Sequence, residues 1–133
     1  MNKRFLISVV VVFVLLMAVG FAVHGLLLAQ DYAQLTNVFR TPEDSQKYFP
    51  FMLLAHAVTA FAIVWIYLQG RQAKPALAQG VRYGLALAAV MVVAKFLIYY
   101  AVQPMPGDVV VKQIVFDTIG LVLIGIVVAH LNK

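Results

Sequence analysis

Cysteine is absent from the 133-residue chain, which excludes disulfides, thiolate metal sites, iron–sulfur clusters and thiol redox chemistry. Acidic residues are nearly as scarce, with five Asp and Glu against ten Lys and Arg, for a net charge of +5. Charged residues make up only 11% of the chain and hydrophobic residues 64%, whereas a soluble domain has roughly 25% and roughly 45–50%. A soluble core of this length cannot hide so much apolar surface. The basic residues are scattered at segment ends and form no patch interleaved with exposed aromatics, so no nucleic-acid partner is expected. Also missing are GxSxG, HExxH, a Walker loop and carboxylates paired at useful spacing, and enzyme is not the first reading.

What the chain does contain is four long apolar runs. A helix needs about 20 apolar residues to cross a bilayer. The runs therefore predict an all-α, integral membrane four-helix bundle with antiparallel up-down topology, one domain over residues 1–133. The first helix is placed at 5–29, because its apolar run is longer than the roughly 7–15 residues of a signal sequence. Thr41-Pro42-Glu43-Asp44 is a helix start, with Thr as cap and Pro in the first turn. It opens a helix over 42–68 whose membrane part begins at 50, with Pro50 expected to bend it. Gly70 and Pro75 punctuate a basic turn before a helix over 75–102. QPMPGD interrupts the chain again, and Asp108 is expected to cap a last helix over 109–131.

Short-loop cations set orientation. Lys3, Arg4, Arg71, Lys74, Arg82 and Lys133 fall on one side, and Arg40, Lys47 and Lys112 on the other. That bias predicts both termini in the cytoplasm and, for a bacterial source, the inner membrane. The lipid bilayer is then the principal partner.

Residues 90–100, VMVVAKFLIYY, place Lys95 inside an apolar helix. Counting along each helix puts Lys95 roughly 8–10 Å, Asp117 roughly 12 Å, His56 about 9–10 Å and His24 about 6–8 Å below the outer surface. Spacings of three, four and seven share a helix face. They set Lys95 with Gly84, Ala88, Met91 and Tyr99, and Asp117 with Gln113 and Gly120. Charges inside a bilayer usually face the bundle and find partners. Lys95 and Asp117 are accordingly read as a buried structural salt bridge. His24, His56, Lys95, Tyr99 and Asp117 form the candidate ligand-binding set. No cofactor is required, although His24 and His56 on neighbouring helices could ligate a haem iron or another metal ion. Gly80 and Gly84 make a GxxxG pattern, read as close packing within the chain.

VGFAVHGLLLAQDY (19–32), YYAVQPMPGD (99–108) and FDTIGLVLIGIVVAHL (116–131) resemble the small four-helix bacterial membrane proteins grouped as domains of unknown function. The resemblance implies a similar four-helix topology and brings no activity and no functional residues. The first functional expectation is an accessory or interaction subunit, self-associating or bound to a membrane-protein partner. The alternative is a protein that handles a small ligand, a cofactor or protons through a polar pocket in the outer half of the bundle.

Overall fold

The computed structural model describes residues 1–133. Six helices account for most of it, and there are no strands. α1 is Lys3–Leu27, whose last seven residues, Phe21–Leu27, widen into π-helix. Two short helices follow, α2 (Ala29–Ala33) and α3 (Pro42–Gln46). α4 is Phe49–Gly70, α5 is Ala76–Val102 with a π segment at Ala89–Val93, and α6 is Gly107–Leu131. α1, α4, α5 and α6 are each long and apolar enough to cross a membrane.

Local chemistry accounts for the boundaries. The Asn2 side chain accepts the Phe5 amide at 2.8 Å, so α1 starts slightly earlier than its apolar run. Thr41 caps α3 by accepting the Asp44 amide at 3.2 Å. The single helix expected over 42–68 is divided, since α3 stops at Gln46 and α4 starts at Phe49. Pro50 sits in the first turn of α4, where its missing N–H would have had no partner anyway. It opens that helix instead of bending a longer one. Asp108 likewise lies within the first turn of α6 and is not its cap, which falls at Pro106. There its charge complements the positive end of the helix dipole.

The tightest junction joins α5 to α6. A Cβ on Gly80 would lie 2.5 Å from the Ile126 Cα, and one on Gly84 would lie 2.5 Å from the Val122 Cα. Backbone meets backbone here, and numbers rise along α5 as they fall along α6. α1 packs on both α4 and α6. At one end of the molecule Asn132, 1% exposed, donates to Ser8 Oγ at 3.0 Å and so ties the start of α1 to the end of α6. Tyr83 of α5 donates to the Ile63 carbonyl of α4 at 2.5 Å.

Replacing Gly84 with Ala forces α5 away from α6. An unfolding titration in one fixed mild detergent should show a loss of about 1–3 kcal/mol. Gly70→Ala, where nothing lies within 4 Å of the added carbon, should show no loss.

Candidate functional site

The polar side chains of the four apolar helices do not gather as a set of five. Asp117 of α6 meets His24 of α1, with Nε2 at 2.9 Å from Oδ2 and 3.1 Å from Oδ1. The other ring nitrogen, Nδ1, lies 2.5 Å from the Tyr32 hydroxyl of α2. Gln113, one turn before Asp117, donates from Nε2 to that hydroxyl at 3.0 Å. Beside this chain Lys112 donates to Asp31 at 3.1 Å. The consecutive pair Asp31-Tyr32 is thus matched against the consecutive pair Lys112-Gln113.

For a neutral ring beside an ionised carboxylate, valence assigns the protons. An ionised carboxylate only accepts, so Nε2 carries a hydrogen and donates it to Asp117. In the neutral ring Nδ1 is then an acceptor, and Tyr32 donates to it. The path runs in one direction: Gln113 N–H to Tyr32 oxygen, Tyr32 O–H to Nδ1, Nε2–H to the carboxylate. Gln113 is buried, and its Oε1 has no hydrogen-bond partner. A buried orphan acceptor costs about 1–3 kcal/mol.

π geometry produces this arrangement at both helices. In α1 the Leu28 amide reaches back five residues to the Val23 carbonyl at 2.9 Å. The widened turn carries His24 and ends where α2 brings Tyr32 back over the ring, whose plane lies within 8° of its own. In α5 the buried face runs through Gly80, Gly84, Leu87 and Ala88, then continues at Val92 and Phe96. An unbroken α-helix would continue it at Met91 and Lys95. The π segment between Ala89 and Val93 advances the face by one residue.

Lys95 is therefore exposed, with its ammonium 4.4 Å from the centre of the Phe96 ring, and it makes no salt bridge with Asp117. The expected Lys95–Asp117 pair is replaced by His24–Asp117. None of the ion pairs is fully buried either, since the His24 and Asp117 side chains remain 34% and 13% exposed. Tyr99 is exposed and contacts Phe96 edge-on. His56 donates from Nδ1 to the Met52 carbonyl one turn back, at 2.7 Å, and its Nε2 faces Gly20 of α1. Of the five candidates, only His24 and Asp117 come together. No three His, Cys, Asp or Glu side chains converge as a metal-binding group, and both His24 nitrogens are already engaged by protein.

Tyr32, Gln113, Asp31 and Lys112 complete the site. Burial pushes the Tyr32 phenol up to about 12; the Gln113 hydrogen bond opposes this, while the Asp117 and Asp31 charges add to it. Tyr32 is thus held in its hydrogen-donating form. A raised pKa means that its contribution to stability is complete below the ordinary tyrosine value, about 10, and is lost as pH climbs toward the folded value. Comparison with family models, curated proteins and solved structures found no match.

In detergent-solubilised protein, Lys95→Met should change unfolding stability by less than about 0.5 kcal/mol. Asp117→Asn should lower it by about 1–3 kcal/mol, and adding Lys95→Met should rescue none of that loss. Stability should also fall as pH rises above about 10, and Tyr32→Phe should flatten that fall.

Proposed function

We propose that the chain is a small accessory protein of the cytoplasmic membrane, an antiparallel up-down bundle with both termini inside, in which His24 is a proton-responsive link between the outer segment and the bundle. The single observation that carries the reading is one imidazole held by Asp117 on one nitrogen and by Tyr32 on the other. Support for the membrane comes from the helices and their surfaces. Leu54, Phe51, Val90 and Val102 are 62–75% exposed, and large apolar side chains exposed to this degree on helices long enough to span suit lipid better than water. The cation bias across the short loops supports the orientation.

Histidine is the side chain whose charge changes in the physiological pH range. The groups facing His24 are Asp117 from α6, Tyr32 from α2 and, from α5, the uncharged Phe96 ring at 6.3 Å. A proton arriving at Nδ1 turns that nitrogen from acceptor to donor. Tyr32 oxygen then accepts from His24, and the tyrosine's own hydrogen needs a new acceptor. Rotation of the Gln113 amide supplies one, because its oxygen is unpartnered in the neutral arrangement. Uptake of one proton thereby reverses the hydrogen bond that fastens the outer segment to α6. Asp117 retains its bond and becomes the counter-ion of the imidazolium. The outer segment, residues 29–48, is the surface such a switch would present to a membrane-protein partner.

Nitrogen-15 NMR of imidazole-labelled protein in lipid nanodiscs tests this between about pH 5 and 8. With the ring neutral His24 should carry its hydrogen on Nε2, and with the ring protonated on both nitrogens. The Gln113 side-chain amide signals should move over the same range. A hydrogen on Nδ1 of the neutral ring, or Gln113 signals indifferent to His24, would contradict the proposal.

A further inference from the structure

The opposite end of the molecule holds a second site of different chemistry. A cleft of about 690 Å³ opens between the start of α1, the α4–α5 turn and the end of α6. Four cationic side chains line it, Arg4, Arg71, Lys74 and Lys133, and no Asp or Glu side chain does. The chain has only five acidic residues. Three are engaged in the other half of the fold, Asp31 with Lys112, Asp44 with Arg40 and Asp117 with His24. The remaining two, Glu43 and Asp108, lie in the first turns of α3 and α6. No Asp or Glu side chain therefore neutralises the four cations.

Their surroundings are built. The Gln79 side chain braces the turn with three hydrogen bonds, accepting the Gln72 amide at 2.8 Å and donating to the Gln72 and Lys74 carbonyls at 2.7 Å. Arg71 donates to the Asn132 carbonyl at 2.7 Å and Arg4 to the main-chain oxygen of Lys133 at 3.2 Å. Each of these contacts uses one of a guanidinium's five N–H donors and leaves the rest for an oxyanion. The first amides of α5, at the positive end of its dipole, border the same cleft.

We infer that this cleft binds a phosphate-bearing anion, either the headgroup of an acidic phospholipid or a free phosphate. Arginine forks match phosphate oxygens two at a time, and lysine adds point charge. The lipid source rests on the membrane reading above. Neither source rests on the His24 relay.

Binding is measured on the full chain in a nonionic detergent, by titration with phosphatidylglycerol, phosphatidylcholine and inorganic phosphate. Phosphatidylglycerol should bind one to one and much more tightly than phosphatidylcholine. Arg4→Gln and Lys74→Gln should each weaken it about fivefold, while Lys47→Gln, at the other end, should leave it unchanged. Inorganic phosphate binding as tightly as the lipid, with the same sensitivity to Arg4 and Lys74, assigns the site to a free anion. Binding by the acidic lipid alone assigns it to a headgroup. Equal binding of both lipids, or full affinity in the Arg4→Gln/Lys74→Gln double variant, overturns the inference. The histidine NMR experiment reads the other end of the molecule, so either proposal can fail alone.

Discussion

Asp117 is the constraint around which one end of the structure is arranged. Within the four long helices it is the only carboxylate beyond a first turn. An ion held among apolar helices costs several kcal/mol unless it is paired and hydrogen-bonded. Lysine could have met that need through charge alone. Histidine meets it with a directed N–H, and its second nitrogen passes the connection on to Tyr32 and Gln113. One carboxylate on α6 thereby recruits α1 and the segment that follows it.

α6 can serve as this post because α5 is fixed against it by contact between backbones. The close approach at Gly80 and Gly84 admits no side chain, and it locks the face that α5 presents along its lower half. The Ala89–Val93 segment then turns the upper half, which brings Phe96 inward and Lys95 outward. A lysine on that side keeps its ammonium over an aromatic ring, where the ring face offers a modest attraction. The two π segments have complementary effects. One positions a histidine beside the carboxylate, and the other turns a competing cation away.

Much of this was legible in the sequence, and the exceptions share a cause. Helical class, the four apolar runs, the Thr41 cap and the Gly80/Gly84 approach follow from composition and local chemistry. His24 and Asp117 were visible as ionisable residues in apolar helices at similar depth. Their pairing was not, because spacing rules assume 3.6 residues per turn throughout. An inserted residue in a π turn shifts the face beyond it and leaves no compositional trace in AVMVV. Tyr32 was hidden for a different reason. It follows the apolar run in a polar stretch, where its helical spacing with Leu35 and Phe39 points to an apolar face but not to His24 as its partner. The clue was the adjacency of Asp31-Tyr32 and of Lys112-Gln113, two short polar pairs whose charges and hydrogen-bonding groups match. The basic cleft was equally diffuse. Its four cations are drawn from three distant segments and were read only as orientation signals.

The central claim, that Asp117 is satisfied by His24, is tested most directly by a double-mutant cycle on unfolding stability in mild detergent, with His24→Phe, Asp117→Leu and the pair together. The structure predicts a favourable coupling of about 0.5–3 kcal/mol between the two positions, and additivity for the parallel cycle between Lys95 and Asp117. Additive His24 and Asp117 effects, or a coupling that appears with Lys95 instead, would contradict it.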